Sequence, residues 1–203
     1  RPDGLNNVRG CATIRLSGSR GEQKEPRKLM GQTLLLTGRP GVGKTTVIRQ
    51  VARALGEQAG GFYTEEIRSS DGRRRGFRVV TMKGEEAVMA HVDLRGQGRP
   101  RVSRYGVDVS AIEDVGVTAL QEAMASDQVV IVDEIGKMEL FCQAFKETVR
   151  RAVEGKSSLL GTVMKGHHAW IDDLKAKEQV TVWEVTAANR DELPARILSW
   201  LKR

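Results

Sequence analysis

Residues 38–45 have the types and spacing that a phosphate-binding loop requires. Their sequence, Gly-Arg-Pro-Gly-Val-Gly-Lys-Thr, fits the pattern G-x-x-x-x-G-K-[ST] at every fixed position. Glycines let the backbone approach an anion and turn its N–H groups inward. Lys44 can bring an ammonium to the β- and γ-phosphates, and Thr45 can offer a hydroxyl to magnesium. The stretch therefore predicts a site for a triphosphate.

The flanking residues predict the strand and the helix that must hold this loop. Residues 33–37 form a short apolar run typical of a buried parallel strand. After the loop, apolar residues recur at helical spacing: Val47, Ile48, Val51, Ala52 and Leu55. Such a helix points the positive end of its dipole at the bound anion. We predict that the nucleotide contacts here come from Gly38, Arg39, Pro40, Gly41, Val42, Gly43, Lys44, Thr45 and Thr46.

A second candidate stretch is residues 129–134, where four apolar β-branched residues precede two acids. The apolar run predicts a buried central strand, and open α/β sheets bind ligands at the carboxyl ends of their strands. Asp133 suits a magnesium ligand beside Thr45, and Glu134 suits the polarisation of a water for in-line attack on the γ-phosphate. Lys44 and Glu134 are therefore the predicted catalytic residues.

Between these two stretches the sequence predicts an inserted β-hairpin. Residues 61–68 and 76–81 are rich in strand formers, and Ser-Ser-Asp-Gly between them is a turn signal. Residues 73–75, all arginine, indicate a charged hairpin edge or a group that reaches transferred phosphate.

Residues 83–107 look irregular. They would be a surface excursion or a lid, and closure would carry Arg95, Arg99, Arg101 and Arg104 to the phosphates.

The remainder of the chain alternates between helix and strand patterns. The capping box at 110–113 predicts a helix to about residue 126. We then expect a helix over 141–153, a strand over 158–164, a helix over 170–177, a strand over 180–185 and a last helix from Asn189. Arg190 would contact base or phosphate, or form a salt bridge at that helix start. The alternation predicts an α/β fold with a mostly parallel sheet flanked by helices.

Length and charge limit the function classes. A chain of 203 residues suits one domain, and no apolar run approaches the ~18 residues of a membrane span. Two cysteines cannot form a disulfide framework, which favours a cytoplasmic protein.

Of the net charge of +7, +4 falls in residues 1–29, with seven Lys and Arg against three acids. We interpret these residues as a disordered basic extension, or a targeting segment, ahead of a domain at 30–203. Nucleic acid is therefore not the expected partner.

Three stretches together resemble the THEP-type nucleoside-triphosphatases, the family that includes the vertebrate cancer-related nucleoside-triphosphatase. They are residues 36–46, residues 61–77 with Gly-Phe-Tyr-Thr-Glu-Glu-Ile-Arg, and residues 132–140 with Val-Asp-Glu-Ile-Gly-Lys-Met-Glu-Leu. The resemblance covers about residues 31–203 and implies one RecA-like P-loop domain. It implies slow Mg²⁺-dependent hydrolysis of ATP, GTP, CTP and UTP to diphosphate and phosphate, with broad base tolerance. Apart from the resemblance, we expect the protein to be a monomer.

The resemblance also carries over nucleotide contacts to the second stretch. These are Val130, Ile131, Val132, Asp133, Glu134, Ile135 and Gly136.

Two other functions stay open on the residues alone. One is a P-loop kinase that passes the γ-phosphate to a nucleoside, a small molecule or a polynucleotide end. The other is a nucleotide-dependent switch whose slow hydrolysis times a partner interaction.

Overall fold

The computed structural model describes residues 31–202, which fold around one nine-stranded sheet. In chain order the strands are β1 (Thr33–Thr37), β2 (Ala59–Arg68), β3 (Arg74–Thr81), β4 (Glu86–His91), β5 (Arg101–Val102), β6 (Tyr105–Val107), β7 (Val129–Ile135), β8 (Leu159–Val163) and β9 (Val180–Glu184). Across the sheet the order is β5-β6-β4-β3-β2-β7-β8-β1-β9. The five strands from β2 to β9 in this order are parallel. The other four continue the sheet as an antiparallel extension.

Helices cover both faces of the parallel part. They are α1 (Lys44–Leu55), α2 (Val109–Ala111), a π-helical stretch (Ile112–Val117), α3 (Thr118–Ala125), α4 (Gln143–Glu154), α5 (Ala169–Lys175) and α6 (Leu193–Leu201). One apolar cluster joins the sheet to α3, α4 and α5, and a second joins it to α1 and α6. The predicted α/β fold, with a mixed sheet between helices, is confirmed. The predicted extension at residues 1–29 lies outside the described residues.

The predicted hairpin is confirmed as β2 and β3, but it belongs to a larger extension. Residues 83–107 are not irregular, because they contain β4, β5 and β6. The sequence signal is weak here since β5 and β6 are only two and three residues long and several glycines interrupt the pattern. β5 lies seven strands from β1, roughly 30 Å along the sheet. The structure thus pairs these residues into the sheet instead of forming a lid over the phosphate loop.

Two predicted helix starts are wrong for the same physical reason. Asp108, not Ser110, caps α2, because its carboxylate accepts a hydrogen bond from the Ala111 N–H at 3.3 Å. The last helix begins at Leu193, not at Asn189. The Asn189 side chain instead holds a turn by accepting from the Thr186 N–H at 2.8 Å. Short polar side chains stabilise turns as readily as helix ends, so their position alone does not fix a helix start.

Candidate nucleotide site

The phosphate loop joins the end of β1 to the start of α1, and its glycines are required by its shape. Gly41 and Gly43 have φ of 77° and 110°, in the left-handed region that side chains disfavour. A Cβ on Gly38 would lie 2.6 Å from the backbone oxygen of Val185. The backbone can therefore follow this path only with glycine at these positions.

Two features of the loop suit a multiply charged anion. Gly43 precedes α1, and no side chain caps the first N–H groups of that helix. Lys44 is only 9% exposed, and its Nζ donates to the Gly38 oxygen at 3.4 Å. That one carbonyl leaves most of the donor capacity of a buried ammonium for an incoming phosphate. Arg39, Pro40, Gly41 and Thr46 are exposed, whereas Val42, Gly43 and Thr45 are half-buried.

The acid predicted to hold magnesium lies next to this loop. Asp133 on β7 is 1% exposed, and its Oδ1 accepts a hydrogen bond from Thr162 Oγ1 on β8 at 2.5 Å. Burial raises the pKa of Asp133. The Thr162 and Thr45 hydroxyls and the Lys44 ammonium partly offset that rise. Threonine inside an otherwise apolar strand was the available sequence signal for Thr162, and the sequence prediction missed it.

The second oxygen of Asp133 fits a magnesium ligand. Oδ2 is buried and makes no hydrogen bond of ordinary geometry among the described residues, although the Thr45 hydroxyl lies near enough to the carboxyl to lower its pKa. Buried carboxylate oxygens rarely stay unpaired, and Mg²⁺ prefers carboxylate and hydroxyl oxygens. The two predicted metal ligands, Thr45 and Asp133, are thus brought to one place, with the oxygen chemistry that Mg²⁺ requires.

Glu134 follows Asp133 at the same end of the sheet and is half-buried. Burial raises the pKa of Glu134, the Lys44 ammonium lowers it, and the negative charge of Asp133 raises it further. The Asp133–Glu134 peptide bond is cis. The side chains of Val130, Ile131, Val132 and Ile135 are fully buried in the two apolar clusters. These four side chains fix β7 in the core and thereby position the acids that follow.

A third acid, which the sequence prediction missed, completes this end of β7. Glu139 is 5% exposed in the 3₁₀ turn Glu139–Phe141, and its Oε2 accepts from the Gly136 N–H at 3.1 Å. A Cβ on Gly136 would lie 3.1 Å from that oxygen and 3.6 Å from Glu134 Cγ. The two glutamates therefore flank Gly136. Burial, with the charges of Glu134 and Asp133, raises the pKa of Glu139 to about 8.

This pKa makes the stability of the protein depend on pH in a defined direction. Between the ordinary pKa of 4.5 and about 8, the unfolded chain loses the Glu139 proton and the folded protein keeps it. The contribution of Glu139 to the free energy of unfolding is therefore fully present below about pH 4.5 and is lost as the pH rises to about 8. Glutamine cannot ionise, so Glu139→Gln should not lose stability in this way as the pH rises. Without metal, we expect the variant to be more stable than the wild type by on the order of a few kcal/mol at pH 8.

Thermal melts of both proteins from pH 5 to about pH 9 would check this expectation. The two melting temperatures should be close at the acidic end and should diverge as the pH rises. Parallel curves over the whole range would show that Glu139 is already ionised in the folded protein.

The β2 strand borders the site from the side opposite β8. Tyr63 pairs in register with Asp133. Arg49 lies one helical turn after Thr45 in α1, and its Cζ is 4.6 Å from the centre of the Tyr63 ring. Its Nη1 also forms an ion pair with Glu65 Oε1 at 3.0 Å. Glu65 also pairs with Arg78 on β3 at 2.8 Å. The most distinctive stretch of the sequence thus links the helix of the phosphate loop to the antiparallel extension.

Arg190 lies against the phosphate loop. Its Nη1 donates to the Val42 carbonyl at 3.4 Å, its Cδ is 3.5 Å from the Cβ position of Gly43, and it pairs loosely with Asp191 at 3.8 Å. A cavity of about 320 Å³ is lined by other residues. It opens at the amino-terminal end of β2, beside Ala59, Met82 and Ala123. The cavity contains none of the candidate site residues, so we place the site at the phosphate loop.

Comparison with known proteins agrees with this arrangement. A family model described as NTPase matches residues 33–198. Nucleoside-triphosphatase THEP1 of Thermotoga petrophila is 43% identical over 169 residues, which is 83% of this chain and 92% of the relative. The human cancer-related nucleoside-triphosphatase is 39% identical over 178 residues, covering 81% of this chain and 93% of the relative.

Two solved structures are also similar. The crystal structure of THEP1 from Aquifex aeolicus has a TM-score of 0.77 at 32% identity, covering 84% of this chain and 99% of its own. The solution structure of a human cancer-related nucleoside triphosphatase has a TM-score of 0.72 at 36% identity, covering 84% and 97%. None of the helices described in residues 31–202 is long and apolar enough to cross a membrane.

Proposed function

Because the chain belongs to the NTPase family, we propose that it hydrolyses nucleoside 5′-triphosphates to diphosphate and phosphate with the help of Mg²⁺. One observation carries the proposal. The unpaired Oδ2 of a buried Asp133 lies at the same end of the sheet as the buried ammonium of Lys44 and the uncapped start of α1. Positive groups for phosphate and an oxygen ligand for a cation are thus side by side.

Most of the proposed catalysis is positioning and charge stabilisation. The N–H groups of Gly41, Gly43 and Lys44 and the Lys44 ammonium hold the β- and γ-phosphates as negative charge moves to the leaving oxygen. Thr45 and Asp133 would hold Mg²⁺, which when bound would supply positive charge to offset the negative charge of the phosphates. The proposed donors are fixed by the loop backbone before the substrate arrives, so little reorganisation is needed during the reaction.

Glu134 is the group proposed to orient and deprotonate the attacking water. Its pKa is raised by burial, which makes it a better base than an exposed glutamate, while Lys44 keeps the ionised form accessible. Arg49 and Arg78 are engaged by Glu65, and Arg190 donates to the loop backbone. With these arginines occupied, slow turnover is part of the proposal, since an arginine on the transferred phosphate adds about 10³ or more in rate.

The same geometry supports broad base tolerance. The groups that the proposal assigns to phosphate or metal would not contact the base, so none of them selects one base through a paired donor and acceptor. We propose a monomeric enzyme that uses ATP, GTP, CTP and UTP in the cytoplasm, where nucleotides and magnesium are abundant.

Phosphate release from the four triphosphates, measured with Mg²⁺ and with EDTA, tests the proposal. We expect release from all four, within about tenfold of one another, and almost none in EDTA. Asp133→Asn should lose most of the activity in Mg²⁺. Analysis of the products distinguishes the alternative function, because a kinase would transfer the γ-phosphate to an added nucleoside and release little of it to water. Transfer without release would replace hydrolysis as the function.

A further inference from the structure

The positive charge of the folded domain is concentrated on the antiparallel extension. Residues 66–108 carry ten Lys and Arg against six Asp and Glu, whereas the other residues from 30 to 203 carry sixteen against seventeen. Residues 1–29 carry +4 of the net charge of +7, as expected, but the remaining +3 is not spread evenly over the chain. The whole positive excess of residues 30–203 lies in residues 66–108, from the end of β2 to just after β6.

Six exposed arginines form this surface, which we call the arginine edge: Arg73, Arg74, Arg75, Arg95, Arg101 and Arg104. Contacts join three of the six. Arg104 Nη2 donates to the Arg74 carbonyl at 2.6 Å, and Arg101 Nη2 donates to the Arg104 carbonyl at 2.9 Å. Two separate segments of the extension are thus held together at this surface, and Arg75 joins them again through Asp93.

Three of the six have no acid to neutralise them. Arg73, Arg74 and Arg75 pair with Asp71, Glu66 and Asp93, respectively. Within residues 31–202, no ion pair is made by Arg95, Arg101 or Arg104. Unpaired like charges on one edge repel one another, so this arrangement favours a polyanion that would offset the repulsion.

The choice of residue type argues against simple protection of a sheet edge. Residues 66–80 and 90–108 contain nine arginines and no lysine, while the other described residues contain seven arginines and nine lysines. Edge strands are most often guarded by lysine, which is well hydrated and flexible. Guanidinium groups are instead suited to phosphate, because their fixed fork can donate two hydrogen bonds to one phosphate group.

Aromatic rings hold two of these guanidinium groups. The Arg74 guanidinium lies 5.3 Å from the centre of the Phe77 ring, and that of Arg104 lies 5.2 Å from the centre of the Tyr105 ring. The two rings contact each other edge to face at 5.3 Å. Guanidinium planes supported in this way offer flat surfaces on which unpaired bases stack. An acidic peptide would use the charge but not these flat surfaces.

We propose that the arginine edge binds single-stranded nucleic acid, at a surface separate from the triphosphate site. Its arginines at β5 and β6 lie seven and six strands from β1, and those at the β2–β3 turn lie three to four strands from it, so the arginine edge does not include the phosphate loop. The proposal does not depend on hydrolysis. A failure of the proposed NTPase activity and a failure of nucleic-acid binding are therefore distinguishable in separate assays.

The test is fluorescence anisotropy of a labelled single-stranded RNA of about 16 nucleotides with the full chain, at about 50 and 200 mM KCl. The test variant changes Arg95, Arg101 and Arg104 to Gln. The matched control changes Arg53, Lys156 and Lys202 to Gln; these three exposed residues carry equal charge elsewhere. Residues 1–29 are present in all three proteins and so cannot cause a difference between them.

We expect the arginine-edge variant to bind at least about tenfold more weakly at the lower salt and to lose roughly two units of the log–log salt slope. The control variant should stay within about twofold of the wild type. Phosphate release should match among the three proteins, while the arginine-edge variant should melt at a somewhat lower temperature because Arg101 and Arg104 each donate to a backbone carbonyl. If the triple variant folds poorly, Arg95→Gln alone should still weaken binding by about threefold, because the Arg95 side chain makes no hydrogen bond or ion pair within residues 31–202.

Three outcomes would overturn the proposal. Equal losses in the test and control variants would mean diffuse attraction without a defined surface. Poly-glutamate of similar length that bound as tightly as the RNA would mean an acidic protein partner. No binding by the wild type at the lower salt would mean that the edge is only a solvated surface.

Discussion

Glu134→Gln is expected to lower the turnover of bound triphosphate by about 10²-fold or more while leaving its affinity within about twofold. The substitution keeps the size of the side chain and its place beside Gly136 but removes the carboxylate that would accept a proton from water. Binding should persist because the phosphates are held by the loop and Lys44, which the change does not touch. Single-turnover phosphate release and the affinity for a non-hydrolysable triphosphate measure the two effects separately.

Glu178→Gln is the matched control for this prediction, since Glu178 is an exposed glutamate near the amino-terminal end of β9. It should turn over triphosphate at the wild-type rate. Turnover by Glu134→Gln at the wild-type rate would exclude Glu134 as the base and direct attention to Glu139, the other carboxylate beside Gly136.

Lys44→Ala is expected to weaken triphosphate binding by roughly 10- to 150-fold, the range for loss of a charged hydrogen bond. The ammonium is buried, and its neighbours supply one carbonyl at 3.4 Å, so its main interaction in the account is with phosphate. The free protein should also lose some stability, because the Lys44 ammonium lowers the pKa of the buried Asp133 and Glu134 carboxyls and so offsets their charge. Calorimetric titration and a thermal melt without nucleotide measure the two quantities.

Lys44→Met separates charge from packing in this prediction. Methionine keeps the apolar stem, so a loss of affinity equal to that of the alanine variant assigns the effect to the ammonium. If Lys44→Met bound triphosphate like the wild type, the buried lysine would serve packing and not the phosphates.

The parts of the site that the sequence predicts are those built by local geometry. The phosphate loop needs glycine at fixed positions and a lysine next to the helix start, so the pattern defines both shape and charge within eight residues. The acids of β7 follow directly from a buried apolar run, which places Asp133 and Glu134 at the ligand end of the sheet. Nothing distant in sequence is needed to locate either group.

The residues that the sequence prediction missed depend on tertiary contacts. Thr162 faces Asp133 only because β8 lies between β7 and β1, an order that no local pattern states. Glu139 turns back to Gly136 through a 3₁₀ turn of three residues. β6 has only three residues and gains its place in the sheet from β4. The arginines of the extension could be counted in the sequence, but their assembly into one edge could not.

The central claim is that a triphosphate and Mg²⁺ bind together, at the phosphate loop and Asp133. The most direct test is the calorimetric affinity of a non-hydrolysable ATP analogue for the wild type and for Asp133→Asn, each in Mg²⁺ and in EDTA. We predict at least about tenfold tighter binding in Mg²⁺ for the wild type and a much smaller metal effect for Asp133→Asn. Equal affinity in Mg²⁺ and EDTA for the wild type would contradict the account.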